Sequence, residues 1–168
     1  MCISSQTGIQ SKLRPASWIP GIRNVHSEEV EWAFPTSISK EQAMDQVSTA
    51  ATSFDNFIIR LADKESGRII IDTLTKAKWM DQIIIKFEED IVNGGVIKAE
   101  LKCCATGFLP LVVPLAPAFN AILCFIPFGD NGNCGRTLRL LEKKTSELLN
   151  GKIESTTTRY SLSNPRKP

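Results

Sequence analysis

Polar and apolar residues alternate along Glu29–Phe34 (EVEWAF), which puts Val30, Trp32 and Phe34 on one face of a short strand that Pro35 ends. The period then changes. Ala43, Val47, Ala50, Ala51 and Phe54 recur at helical spacing behind a Ser39-Lys40-Glu41-Gln42 capping box, with Ser39 at the N-cap and Gln42 reaching back to it. This predicts a helix over about 40–53 with one buried face. Four strand-like runs follow, at 56–63, 67–76, 81–90 and 94–103. The breaks between them are too short for parallel crossovers, so the strands are antiparallel neighbours. In the second run Ile69, Ile71, Thr73 and Thr75 face one way and Ile70, Asp72 and Leu74 the other, and so much isoleucine implies that both sheet faces are partly covered. A last helix carries Leu138, Leu141, Thr145 and Leu148 on one stripe and ends at Asn150-Gly151. The polar stretches 1–24 and 152–168 read as an irregular arm and a flexible tail. The expected fold is α+β: a single domain over 1–151, with an antiparallel sheet of about four to five strands packed against two main helices.

Residues 107–129 interrupt this plan. No charged side chain occurs from Cys103 to Gly129, and prolines stand at 110, 114, 117 and 127. A membrane-spanning helix needs about 20 apolar residues in regular helix. Pro114 and Pro117 each cost such a helix about 3 kcal/mol or more, and lipid offers no partner for the backbone groups they release. Three roles remain: extra core, a lid over an apolar pocket between sheet and helices, or a loop that meets a membrane surface. In the lid role Phe108, Leu109, Phe119, Phe125, Phe128 and Trp79 are the candidate ligand contacts.

Composition narrows the partners. The 168 residues are 42% hydrophobic, 23% charged and 7% aromatic, as in an ordinary globular domain. A net charge of +2, without a basic face interleaved with aromatics, excludes nucleic acid as the expected partner. The five cysteines include no C-x-x-C, and the adjacent Cys103 and Cys104 point to opposite faces of a strand. With one histidine, His26, no metal site and no cofactor are expected. The N-terminus has neither the apolar core of a secretory signal nor a glycine after Met1 for myristoylation, so a cytoplasmic protein with optional membrane association is expected.

Several short motifs occur in a shared order. Cys2-Ile3-Ser4-Ser5-Gln6 opens the chain, and Trp79-Met80-Asp81-Gln82 precedes a strand with Lys86. Lys102-Cys103-Cys104-Ala105-Thr106-Gly107 and Asp130-Asn131-Gly132 with Arg136 form two halves of a last block. Over roughly residues 1–149 this resembles domain-of-unknown-function family 1499, with an apolar insertion near 108–129 between those halves. The departures are Gln82 and Lys86, where the family has aspartate and arginine, and lysine and cysteines where it has arginines and serines. Since the family has no settled activity, the resemblance implies a small α+β fold and no particular reaction.

Candidate chemistry is sparse. Asp72 among isoleucines, Asp81 at a strand start and His26 are the candidate acid–base residues. The simpler readings are a solvent-facing Asp72, an ion pair of Asp81 with Lys86 or Arg136, and a surface His26. Gly132 and Arg136, at the start of the last helix, could hold an anion, against the simpler reading of an ordinary capped helix start. Cys134 would become a reactive thiolate only if His26 came near it in space. The expected function is a binding or accessory protein for a hydrophobic small molecule or lipid, with possible peripheral membrane contact and no oligomeric state specified. The alternatives are a small cofactor-free enzyme acting on a hydrophobic metabolite, of isomerase, cyclase or hydrolase type, and a scaffold without ligand.

Overall fold

The computed structural model describes residues 3–19, 26–90, 95–126, 132–151 and 153–159. Its strands are β1 (Ser27–Ala33), β2 (Phe57–Asp63), β3 (Arg68–Leu74), β4 (Met80–Asp90), β5 (Val96–Ala105) and β6 (Glu154–Arg159). The helices are α1 (Ile3–Leu13), α2 (Lys40–Thr52), α3 (Ala116–Ile122) and α4 (Asn133–Leu148), with a 3-10 turn at Pro15–Ser17. All six strands form one antiparallel sheet in the order β2-β3-β4-β5-β1-β6. The fold is thus α+β, with one strand more than the hydrophobic pattern indicated.

Strand periodicity decides what each face holds. Ile71, Ile83, Cys103 and Glu28 lie in one register row, and the next residues along, Asp72, Gln82, Cys104 and Ser27, form a row on the opposite face. The first face carries Ile69, Ile71, Ile83, Ile85, Leu101 and Trp32, all fully buried. Upon it pack Ala43, Met44, Val47, Ala50 and Ala51 of α2 and Leu138 and Leu141 of α4. Helix α2 starts as its sequence dictates: Ser39 Oγ accepts from the Gln42 amide, and the Gln42 side chain accepts from the Ser39 amide.

Two expectations need correction. Residues 3–13 are a helix, not an irregular arm, and residues 154–159 of the expected tail are strand β6, paired to β1. Helix α1 escapes the apolar-stripe test because its buried side is Gln6, Thr7 and Gln10.

Those amides hold the oily segment in place. Met80, on the second sheet face, packs with Leu111 and Ala116 in a small separate core joined by Leu74, Leu109 and Val113. The prolines keep this stretch from forming a continuous helix, so its buried backbone groups need partners from elsewhere. Gln6 supplies two: its Nε2 donates to the Leu111 carbonyl and its Oε1 accepts from the Ala116 amide, each at 2.9 Å. Gln10 Nε2 donates to the Thr106 carbonyl at 2.7 Å, and Asn120 accepts from the Leu109 amide while donating to the Leu109 carbonyl. A Cβ on Gly107 would run into both Asn120 and Gln10, so glycine is needed there for the amides to close in. Replacing Gln6 by Met keeps the volume and removes both hydrogen bonds. The buried Leu111 carbonyl is then left unpaired, and the Ala116 amide keeps only its turn bond to the Val113 carbonyl. The expected cost is about 1–3 kcal/mol in urea-unfolding stability, against a negligible change for the exposed Ser5→Ala.

Candidate functional site

The insertion lies over the second face of the sheet, beside α1, and its side chains divide between two roles. Leu111 and Ala116 are core, whereas Phe119, Ile122 and Phe125 are 45%, 66% and 60% exposed. Ile9, Leu13 and Trp18 from the α1 region, Val112 and Leu115, and Trp79 with Phe108 are exposed in the same layer. Trp79 Nε1 donates to the Phe108 carbonyl, and Trp18 Nε1 to the Leu13 carbonyl, which fixes both rings. Of the expected ligand contacts, Phe108, Phe119, Phe125 and Trp79 therefore point outward, Leu109 packs on the small core, and Phe128 lies outside the described residues. No carboxylate occurs in residues 3–19, 75–80 or 106–126, while Lys12, Arg14, Lys76 and Lys78 do. The surface is apolar, aromatic and cationic. No helix among the described residues is long and apolar enough to cross a membrane.

The acid–base candidates separate onto the two faces of the sheet. Asp81 is buried on the first face at the start of β4, where it accepts from Asn133 Nδ2 in the first turn of α4. Lys86, five residues on, faces the other side and is exposed, so it is not the partner of Asp81. A carboxylate at this end of α4 suits the helix dipole. Gly132 is the N-cap at φ +70°, with no side-chain cap, and Arg136 is exposed on the first turn. His26 is fully buried, contrary to a surface placement, and its carbonyl accepts from the Cys134 thiol at 3.8 Å. The two residues do meet, but through the histidine main chain. Cys103, Cys104, Cys124 and Cys134 are thiols and not disulfide halves, and no group of three metal-binding side chains occurs among the described residues.

Beside His26, Glu28 is buried against α4, at Gly135. It opens onto a cleft of about 720 Å³ between α4 and strands β1 and β6, lined also by Val30, Leu138, Arg139, Glu142 and Ile153. Nothing in the local sequence marked Glu28, because its burial depends on α4 crossing a strand more than a hundred residues earlier.

Asp72 is the clearest correction. Expected at the solvent, it is 0% exposed on the second face. Its two oxygens accept from Arg60 Nε at 2.5 Å and Gln82 Nε2 at 2.8 Å. Gln82 is then bound by Arg14 Nη1 at 3.1 Å and reaches Ser11 of α1. The chain Arg60–Asp72–Gln82–Arg14 ties the sheet to the α1 layer and engages both carboxylate oxygens, which gives this aspartate a structural role. Arg14 itself sits at φ +44°, a left-handed conformation that costs a non-glycine residue about 1–2 kcal/mol. The turn is held by Ser17, whose amide and hydroxyl both donate to the Arg14 carbonyl. Below it lies a cavity of about 220 Å³ lined by Arg14, Ser17, Gln82, Ile84, Lys102, Cys104, Ala105 and Thr106. Further along this face the sheet is solvated, and Lys98 is held above its ordinary pKa by its hydrogen bond to Asp90 and by the charge of Asp90.

Gly135 offers a test of the buried Glu28. In an open helix Gly→Ala stabilises by about 1 kcal/mol. Here an added Cβ would press on Glu28 Oε2. Gly135→Ala is therefore expected to destabilise, by about 1–3 kcal/mol in thermal or urea unfolding, and Glu28→Gln in the same background should not restore the loss, since the clash is steric.

Comparison with protein-family models, curated proteins and solved structures finds no match to this chain, so its function has to be read from this geometry.

Proposed function

We propose that this chain is a lipid-binding accessory protein that meets a membrane or lipid surface with the layer formed by α1, α3 and the segment between β5 and α3. One observation carries the reading: large apolar side chains crowd one layer that has lysines and an arginine and no carboxylate. Aromatic and aliphatic groups suit the acyl boundary, and cations suit the anionic headgroups around it. Exposed apolar surface of this extent on a soluble domain calls for a partner. Lipid fits better than a protein partner because the charge is of one sign. The hydrophobic-ligand expectation is kept in this form, with the aromatic residues as the contact surface and not as the inner wall of a lidded pocket. Cytoplasmic placement and the resemblance to family 1499 belong to the same proposal.

A second reading, a small enzyme acting on a hydrophobic metabolite, draws on the 720 Å³ cleft and its buried Glu28. It would place the chemistry on the first face, away from the lipid layer, with Asp81 and His26 as supporting residues.

Replacing the whole segment would remove Leu111 and Ala116 from the core, so point changes are the cleaner test. The double variant Phe119→Ser/Phe125→Ser should fold with wild-type stability and lose binding to sedimented vesicles of phosphatidylcholine with an acidic phospholipid. A fully buried aromatic contributes about 1.5–3 kcal/mol, so losing two partly inserted ones should weaken partitioning at least about tenfold. In the wild type, vesicles should shift the emission of Trp18 and Trp79 to the blue. Equal partitioning of both proteins would refute the proposal.

A further inference from the structure

We infer that the cavity under Arg14 is a binding site for a terminal phosphate, the monoester headgroup of an acidic lipid lying against the α1 layer. The inference rests on the lipid-surface proposal and adds the chemistry of the headgroup. Two cationic groups from distant parts of the chain line this 220 Å³ space, Arg14 from the turn after α1 and Lys102 from β5, and no carboxylate lines it. Each is held from the side by a protein acceptor. Arg14 gives one hydrogen bond to Gln82, and Lys102 is paired with Glu29. A guanidinium has five N–H donors and an ammonium three, so each retains donors after that anchoring bond. Such a pair, one planar fork and one compact charge, matches the three terminal oxygens of a phosphate monoester better than a diester, which offers two. Ser17 adds a hydroxyl to the wall.

The surroundings favour an anion that arrives with an apolar tail. Arg14 is flanked in sequence by Leu13 and Ser17 by Trp18, both exposed in the apolar layer, and Thr106 leads directly to Gly107 and Phe108. A phosphate held in the cavity would thus leave its ester oxygen next to the surface proposed for acyl chains. The left-handed turn at Arg14 also gains a purpose: it directs the guanidinium of the α1 layer back onto the sheet, where Gln82 holds it.

The test uses the full chain and measures partitioning to vesicles of phosphatidylcholine alone, with phosphatidylserine, or with phosphatidic acid. Wild type should prefer phosphatidic acid over phosphatidylserine about tenfold. Arg14→Gln and Lys102→Gln should each remove most of that preference, while Lys12→Gln, outside the cavity, should keep it. Should Arg14→Gln fail to fold, as judged by its thermal transition, Lys102→Gln carries the same prediction. A preference that survives both cavity variants overturns the site, since diffuse charge from Lys12, Lys76 and Lys78 would then explain it. Vesicle binding with no preference for phosphatidic acid overturns the site and leaves the lipid-surface proposal standing. Calorimetry with glycerol 3-phosphate separates the remaining cases. Binding that depends on Arg14 without any vesicle binding keeps the phosphate site and overturns its lipid source. Binding of neither probe overturns both.

Discussion

The structure depends on a small set of side-chain amides that complete the hydrogen bonding of a proline-broken segment. An apolar chain that cannot form regular structure carries its backbone polarity with it into any layer it joins. Buried and unpaired, each such group costs on the order of 1–3 kcal/mol. Gln6 and Asn120 reduce that penalty by acting as both donor and acceptor to the backbone of residues 109–116, and Gln10 donates to the Thr106 carbonyl. Because of them the segment lies against the sheet with a fixed side inward. A fixed outward side follows. The exposed aromatics are therefore presented on an ordered support and not on a loose loop, which matters for any surface that has to be bound without a large ordering cost.

A second tie makes the two layers one body. The Arg60–Asp72–Gln82–Arg14 chain runs from the edge strand β2 through β3 and β4 to the turn after α1. Its central carboxylate is fully buried and accepts from a guanidinium and an amide. A paired buried charge of this kind adds little net stability, but losing one member leaves another uncompensated. Geometry is what it contributes. It holds Arg14 against Gln82 on the second face of the sheet, at the cavity that both residues line.

Much of the fold was legible because it obeys local rules. The capping box at Ser39 and Gln42, the alternation of Val30, Trp32 and Phe34, and the opposed directions of Cys103 and Cys104 are each fixed within a few residues, and each appears as the pattern implies. What escaped was written in polar residues whose meaning is tertiary. Helix α1 has glutamines where an apolar stripe would have announced it, and strand β6 is serine and threonine at a sheet edge, where one polar side is natural. Asp72 shares its strand phase with Ile70 and Leu74, and the simpler reading of a lone carboxylate there was a side chain facing solvent. That reading holds only if nothing covers that end of the second face, and α1 covers it. Of the site, the aromatic residues of the insertion could be named in advance, whereas Arg14 and Lys102 could not, since 88 positions separate them and only the sheet brings them together.

The prolines of the insertion can now be assigned a physical role. A continuous helix of the same composition would bury its polarity internally, and nothing would stop it entering a bilayer lengthwise. Broken at 110, 114 and 117, the segment has to borrow hydrogen bonds from α1, which pins its inner side to a sheet rich in charge on its open face. Such a layer can lean on a lipid surface only as deep as its exposed side chains reach. In the proposed lipid contact the acid-free, lysine-bearing surroundings would set the same limit from the outside, because cations stay at the headgroup level while rings reach deeper. An ordered outward apolar side and a cavity beside it belong to one arrangement: an apolar segment broken by its prolines and held by its neighbours.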